Sequence, residues 1–226
     1  MPTLPGSPPV EITLRRSARS SRFSLRVSQL DGRVTLSMPL RARERDAMAF
    51  ALGHESWLRA ALARRPAQST LAMGDTLLVE GRPLTLAPGT TRSPTIIGDS
   101  LHLPGNPEQA AARAAAYLKT LARDRLAAAS DHYAAQIGRK VTRMTLRDTR
   151  SRWGSCAHDG ALMYSWRLIM APPTVLTYVA AHEVAHMVEM NHSDAFWAVV
   201  SRLYPHWQTQ RKWLHANGRD LHAYQF

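Results

Sequence analysis

Apolar and polar residues alternate along the first part of the chain, as they do in strands that bury one face. Between residues 11 and 39 the apolar positions recur at every second residue on both sides of Asp31-Gly32, a dipeptide typical of tight turns. This pattern predicts a β-hairpin. From Arg43 to about Arg64 the apolar positions change to a helical spacing, which predicts one amphipathic helix. His54-Glu55 lies in this helix without a second histidine four residues later, so we interpret it as a surface pair.

Short strands and a long helix are predicted next. Four apolar runs separated by glycine and proline predict strands at Leu77–Glu80, Leu84–Ala87, Thr95–Ile97 and Leu101–Leu103. Asn106-Pro107-Glu108 has a capping residue, a proline and an acid in the order that begins a helix. The alanine-rich stretch behind it predicts a helix that runs to about Ile137 and ends at Gly138.

The last third of the chain predicts two strands and three helices. They cover Val141–Leu146, Ala161–Ile169, Pro173 to about Asn191, Ser193–Leu203 and His206–Ala216. Asn191 is of a residue type that ends helices in the left-handed conformation. We therefore expect an α+β protein with a flexible leader over residues 1–10, a β-rich region with one helix over 11–105 and a helix-rich catalytic region over 106–226.

The net charge of the chain suggests one class of binding partner. The chain of 226 residues has 29 Lys and Arg against 17 Asp and Glu, and its net charge is +12. Such a balance favours contact with nucleic acid or nucleotides. The arginines are scattered, however, with local clusters only at residues 15–22 and 41–45. A solvated basic surface is therefore the simpler interpretation.

Membrane association and export are not indicated. No apolar run approaches the 18 or so residues that cross a bilayer, and the first ten residues lack the basic and apolar regions of a signal peptide. A single cysteine, Cys156, excludes an internal disulfide and suits a reducing compartment. We expect a cytoplasmic protein.

The strongest chemical signal is His182-Glu183-Val184-Ala185-His186. On a helix, residues four apart lie about 40° apart around the axis and about 6 Å apart along it. Both imidazoles can therefore bind one metal ion from the same side, and Glu183 can reach a water molecule on that metal without being a ligand. The flanking residues are almost all apolar, and burying these polar groups without a partner would be costly. The motif predicts one Zn²⁺ per chain.

Three residues compete to be the third ligand. Glu189 returns to the same helix face but lies about one turn beyond His186. Cys156 is chemically suitable, although its spacing carries no signal. His192 lies beyond the predicted helix end, where a turn at Asn191 can bring it back toward the metal. We favour His192, and interpret Glu189 as a supporting or solvated acid.

This site predicts hydrolysis by activated water. Zinc lowers the pKa of bound water from 15.7 toward about 7. Glu183 would accept a proton as the water attacks a carbonyl and pass it to the leaving amine. A strand beside the site, for which we take Ala161–Ile169, could hold an extended peptide by edge pairing.

The motifs together resemble those of the YgjP-type, SprT-related zinc metallopeptidases. The resemblance extends over nearly the full length and is carried by Arg152-Trp153-Gly154-Ser155-Cys156, Arg167-Leu168-Ile169 with Pro172-Pro173, His182 to His186, Asn191-His192-Ser193 and Phe196-Trp197. It implies a zincin-like metallopeptidase domain, with His182, His186 and His192 as zinc ligands and Glu183 as general base. The ligand spacing also equals that of metzincins, but Glu189 replaces their glycine and no methionine turn is evident.

Substrate contacts are less determined. Arg152, Trp153, Tyr164 and Tyr178 are candidate substrate-binding residues, and His206 joins Arg152 and the two tyrosines as a candidate to stabilise an oxyanion. Trp153, Phe196 and Trp197 are more typical of core positions. The main hypothesis is a zinc-dependent peptidase acting on peptides or proteins. The alternatives are a metal-dependent nucleoside triphosphate hydrolase and a DNA-associated, SprT-like protease.

Overall fold

A computed structural model describes residues 2–28, 32–63 and 69–226. It confirms the mixed α+β fold. The helices are α1 (Glu44–Gly53), α2 (Glu55–Ala63), α3 (Ala110–Gln136), α4 (Pro173–Ala185), α5 (Asp194–Leu203) and α6 (Trp207–Asn217). The strands are β1 (Thr3–Leu4), β2 (Val10–Ser17), β3 (Ser24–Val27), β4 (Val34–Pro39), β5 (Ser69–Thr70), β6 (Thr76–Val79), β7 (Arg82–Gly89), β8 (Thr95–Ile97), β9 (Ser100–Pro104), β10 (Arg143–Arg147), β11 (Gly154–Cys156), β12 (Ala161–Ser165) and β13 (Tyr224–Gln225).

The chain divides into two compact units, Met1–Ala67 and Gln68–Phe226. In the smaller unit the sheet order is β1-β2-β4-β3, and α1 and α2 pack against it around one apolar core. The predicted hairpin corresponds to β3 and β4, which pair antiparallel; Asp31 of its turn lies outside the described residues. The predicted leader is not separate from this sheet, because β1 pairs with β2 and Leu4 is buried.

The single helix predicted from Arg43 to Arg64 is two helices in the structure. The backbone N–H of His54 bonds back to Ala51 three residues earlier, and α1 ends at Gly53, a residue type that weakens helices. His54 lies on the surface, where its Nδ1 is 2.9 Å from the carbonyl oxygen of Phe50. The interpretation of His54-Glu55 as a surface pair is in agreement with this position.

The larger unit contains two sheets, with strand orders β6-β7-β9-β8 and β10-β12-β11, and the short pair β13-β5. The unit boundary lies between Ala67 and Gln68, whereas the sequence predicted a boundary near residue 105. The difference arises because the β6–β7 turn bonds to the segment before α4. Glu80 and Gly81 donate backbone hydrogen bonds to Ile169 and Met170 over 2.7 and 3.2 Å. Such long-range contacts leave no local trace in the sequence.

Helix α3 is the longest element and packs against α4 and the segment before it. A short 3₁₀ helix, Pro107–Gln109, leads into it, and Asn106 caps that helix by accepting a hydrogen bond from Glu108 N over 3.0 Å. Gly138 follows the end of α3 with a φ of 63°, as predicted. The strand predicted over Ala161–Ile169 is shorter than expected. It ends at Ser165, and a 3₁₀ helix, Trp166–Met170, leads to α4.

Arg167 ties the end of the chain to this core. Its guanidinium donates to both carboxylate oxygens of Asp148 over 2.6 and 3.0 Å and to the carbonyls of Leu221 and Tyr224. It also lies 5.3 Å from the ring centre of Phe226. Burial alone would raise the pKa of Asp148, but the hydrogen bond and charge of Arg167 outweigh burial and hold that pKa below its ordinary value.

We expect Arg167→Leu to lower the free energy of unfolding by about 2–3 kcal/mol, because the substitution leaves two carbonyls and a carboxylate without their charged donor. Chemical denaturation measures this loss. Arg82→Leu is the matched control, since Arg82 pairs with Asp99 on the surface and such pairs contribute less than about 1 kcal/mol. Equal losses in the two variants would contradict the tethering role of Arg167.

The ion pair between Arg167 and Asp148 also predicts that the stability of the protein depends on pH. Because the pKa of Asp148 is lowered by folding, its contribution to stability is complete above its unfolded pKa of about 4 and is lost as the pH falls further. The stability difference between wild type and Asp148→Asn should therefore shrink below about pH 4. A difference that stayed constant down to pH 2 would argue against the ion pair.

Candidate metal centre

Helix α4 brings the motif into the centre of the larger unit. Pro172 and Pro173 begin it, and nine of its 13 residues are buried, on every side of the helix. It ends at Ala185, earlier than predicted, because Met187 and Val188 bond back to carbonyls only three residues before them. Asn191 has no left-handed backbone in the structure, so the predicted terminator role is wrong. His186 therefore lies at the helix end.

The structure brings the three predicted histidines together. One ring nitrogen from each of His182, His186 and His192 lies within 4.8 Å of the other two. The Nε2 atoms of His182 and His192 are 3.1 Å apart. Neither Glu189 nor Cys156 belongs to this group, which is the metal-ligand cluster found among the described residues. Three converging imidazole nitrogens are a donor set that can hold a metal ion.

Neighbouring groups orient these rings. Nδ1 of His186 is 3.0 Å from the carbonyl oxygen of Glu189; because a carbonyl only accepts, this nitrogen carries the proton and Nε2 keeps its lone pair. Glu189 thus supports the site through its backbone. Phe196 is fully buried and contacts all three rings, with its centre 4.4 Å from His186, 4.9 Å from His182 and 4.8 Å from His192. Phe196 is a core residue, as predicted, but it also fixes the triad.

Burial keeps His182 and His186 in their neutral form. Burial, together with the charges of the neighbouring His186, His192 and Arg211, lowers the pKa of His182 to about 3. Burial also lowers the pKa of His186, against the opposing effect of its bond to Glu189. Neutral imidazoles have the free lone pair that metals bind. The site is therefore ready to accept a cation at neutral pH.

Glu183 lies beside the triad in a close-packed position. It is 6% exposed, and burial raises the pKa of its carboxyl to about 8 while the charge of Arg152 opposes that rise. Gly154 of β11 packs directly against it: a Cβ at that position would lie 2.5 Å from Oε1 of Glu183. Only glycine leaves room for the carboxyl here. The sequence contains the Trp-Gly-Ser-Cys motif, but this steric role was not predicted from it.

A cleft of about 410 Å³ opens over these residues. Its walls include Arg152, Trp153, Tyr178 and Cys156, together with the histidines and Glu183. Burial, with the charges of Glu183 and Asp159, raises the pKa of the Cys156 thiol to about 11. The thiol therefore stays protonated at neutral pH and is a poor metal ligand.

The edge of the cleft is formed by β11, and not by the strand predicted for that place. In the sheet order β10-β12-β11, strand β12 is central, so Ala161–Ile169 has no free edge for a peptide. Trp153 and Ala157 bond to β12. In an antiparallel pair, the alternate residues direct N–H and C=O away from the partner. Gly154 and Cys156 therefore present backbone donors and acceptors to the cleft.

The other predicted contact residues divide into two groups. Arg152, Trp153 and Tyr178 line the cleft, and Trp153 also packs 5.2 Å from His222, which explains its half-buried position. Tyr164 does not reach the cleft. It is fully buried and its hydroxyl bonds to Ser130 over 3.0 Å, because β12 is the central strand. His206 is exposed at the start of α6 with a φ of 62° and does not line the cleft.

Histidines that converge in this way can bind a metal ion, and a buried carboxyl group beside them suits hydrolysis, so the site is of the kind found in metal-dependent hydrolases. A comparison with known protein families specifies the kind of hydrolase further. Residues 21–217 match the family described as YgjP-like, metallopeptidase domain, and the chain belongs to this family. The resemblance noted in the sequence is thereby confirmed.

Two further comparisons complete the findings. The crystal structure of the metallopeptidase zymogen of Pyrococcus abyssi abylysin is similar to 41% of this chain and to 93% of its own, with 15% identity and a TM-score of 0.38. No curated protein sequence matches the chain significantly. Among the described residues, no helix is both long and apolar enough to traverse a lipid bilayer.

We expect Gly154→Ala to lower peptidase activity about 100-fold, because the added methyl group displaces the Glu183 carboxyl and misplacement of about 1 Å can cost that much. Steady-state kinetics with an unstructured protein substrate measures the loss. Gly53→Ala is the control, since it is the same change at a position where the added methyl group would meet nothing within 4 Å. If Gly154→Ala retained full activity, Glu183 would not need its observed position.

Proposed function

We propose that the protein is a zinc-dependent peptidase in which His182, His186 and His192 bind the metal and Glu183 is the general base. The observation that carries this proposal is the convergence of three imidazoles beside a buried carboxyl, in a cleft that a peptide chain can enter. Each residue in this set lies in the larger unit, on α4 or in the segment that follows it.

The donor set fits zinc. Zinc–nitrogen bonds of about 2.0–2.1 Å in tetrahedral geometry separate two ligand nitrogens by about 3.4 Å, close to the 3.1 Å between Nε2 of His182 and Nε2 of His192. Three protein ligands leave the fourth position open to water or substrate, as in catalytic zinc sites. A bound divalent cation would polarise the substrate carbonyl and acidify a water molecule there.

Glu183 supplies proton transfer. A divalent cation held by the histidines would keep the Glu183 carboxyl in the ionised form, because the nearby positive charge would offset the cost of burial. The carboxylate accepts a proton from the attacking water and then donates it to the nitrogen of the leaving amine. Gly154 holds the carboxyl in place from the opposite side.

The cleft residues would position the peptide. Gly154 and Cys156 on the edge of β11 would pair with an extended substrate through backbone hydrogen bonds. Burial raises the pKa of Tyr178 to about 12, so its hydroxyl remains a donor at neutral pH and can stabilise charge on the carbonyl oxygen. Arg152 and Trp153 are the adjacent wall. Tyr164 is left out of this set because its hydroxyl is buried against Ser130.

Metal analysis and kinetics on matched variants test the proposal. We expect one zinc ion per wild-type chain, loss of most bound zinc in His192→Ala, and full zinc content with activity lowered by a factor of about 10²–10⁴ in Glu183→Gln. Glu189→Gln is the control for His192, because Glu189 supports the site only through its backbone carbonyl and should keep both metal and activity.

Two outcomes would overturn the assignment. Zinc content that is unchanged in His192→Ala would remove this residue from the ligand set. Phosphate release from nucleoside triphosphates that depends on Glu183, without any cleavage of unfolded protein, would replace the peptidase by a nucleotide hydrolase.

Substrates with single ester bonds test the pairing with β11. Replacing one backbone amide near the cleaved bond by an ester removes one N–H donor and keeps all side chains. We expect kcat/KM to fall about 5- to 10-fold at the positions opposite Gly154 and Cys156, which corresponds to one hydrogen bond of about 1 kcal/mol, and to stay unchanged at the alternate positions. An equal response at every position would argue against edge pairing.

A further inference from the structure

The sheet of the smaller unit has one face that its own helices do not cover. Ile12, Leu36 and Val27 are buried on the side of α1 and α2, and side chains alternate between the two faces of a strand. The opposite face therefore carries the residues between them. We call the central part of this surface the arginine–hydroxyl face, and it consists of Thr13, Arg15, Ser24, Arg26, Thr35 and Ser37. Glu11 lies on the same side of the sheet at one end of β2, and Ser17 and Pro39 lie there at the other end.

Strand register arranges these residues in two rows. Thr13 lies opposite Thr35, which lies opposite Arg26, and Arg15 lies opposite Ser37, which lies opposite Ser24. Each row thus has one arginine and two hydroxyl groups. With strands about 4.8 Å apart and about 3.3 Å per residue, the Cα atoms of Arg15 and Arg26 are about 12 Å apart. The two guanidinium groups can therefore bind two separate anionic groups above a floor of small polar side chains.

The acids of the smaller unit form no ion pair with the arginines of this face among the described residues, and this includes Glu11 on the same side of β2. Residues 1–67 contain twelve arginines and no lysine, against five acids. Three of those acids lie on the helices, and Asp46 and Glu55 pair there with Arg45 and Arg59. Arg15 and Arg26 are exposed, and neither has a hydrogen-bond or ion-pair partner in the described part of the chain.

A neighbouring arginine in β2 has a structural role, in contrast to Arg15 and Arg26. Arg16, the next residue in β2, donates to the carbonyls of Leu40 and Ala42 over 2.9 and 2.7 Å, and so holds the connection from β4 to α1. Arg15 and Arg26 make no such bonds. Their charge is available to a partner.

We propose that the arginine–hydroxyl face binds the phosphate backbone of a nucleic acid. Guanidinium groups bind phosphate in bidentate geometry, and hydroxyl groups donate to phosphate oxygens. None of the six residues is apolar, so the face lacks both the hydrophobic centre of a protein interface and the apolar side of a membrane-binding surface. None is aromatic, so bases have no stacking partner among them and the contact does not select sequence.

The test uses the full-length protein and a fluorescently labelled single-stranded oligonucleotide of mixed sequence, with anisotropy measured at several salt concentrations. We expect the double variant Arg15→Gln, Arg26→Gln to bind about 10- to 30-fold more weakly at 0.1 M salt. Its slope of log K against log salt should be smaller by about 1.4, the value for two lost phosphate contacts on a single strand.

The double variant Arg41→Gln, Arg43→Gln is the matched control. It removes the same charge from exposed positions off the face and should keep the wild-type slope. Circular dichroism and thermal unfolding of both variants verify that the fold is intact. Equal weakening in the two double variants would show an effect of net charge alone and overturn the proposal. Two other results would overturn the proposal. One is that polyglutamate of equal charge displaces the oligonucleotide as effectively as unlabelled oligonucleotide does, and the other is that the protein does not bind the oligonucleotide at 50 mM salt.

Discussion

Desolvation along helix α4 is the constraint on which the rest of the site depends. A helix that is buried on all sides must carry polar groups into a medium that penalises charge, and His182 and Glu183 respond with pKa shifts toward their neutral forms. For a histidine the neutral form is the one that ligates metal, so the same burial that costs free energy also prepares the triad. A bound cation relieves the remaining cost by favouring the carboxylate. Phe196 and Gly154 then act as packing partners that hold these groups where the cation would need them.

The sequence correctly predicted features that depend on residues close together along the chain. Periodicity located the long strands and α3, and the spacing from His182 to His186 placed two rings on one face of a helix. The features that were missed depend on contacts distant in sequence. Strand β11 has only three residues and no periodicity to detect, so the edge of the cleft was assigned to its neighbour β12. Tyr164 was a candidate for substrate binding because of its residue type. It lies on β12, however, which is the central strand between β10 and β11.

Arginine has three distinct physical roles in this chain, which composition cannot separate. Arg167 is almost fully buried, donates four hydrogen bonds and acts as a structural cross-link. Arg152 lies in the cleft, where its charge opposes the rise in the pKa of Glu183. Arg15 and Arg26 are exposed on the uncovered face of the smaller sheet and have no partner among the residues that the structure describes. The net charge of +12 is thus a sum over residues whose functions differ, and only the hydrogen-bond partners of each side chain distinguish them.

The pairing of β5 with β13 has a mechanical consequence. β5 is the first strand of the larger unit and β13 is its last strand, and the two run parallel to each other. A force that pulls the two ends of the unit apart therefore acts along the strands and loads their hydrogen bonds together, in shear, instead of opening them one at a time like a zipper. The bonds from Arg167 to the backbone of Leu221 and Tyr224 lie on the same path. A pull on the carboxyl-terminal end of this unit therefore loads these bonds before it reaches α4.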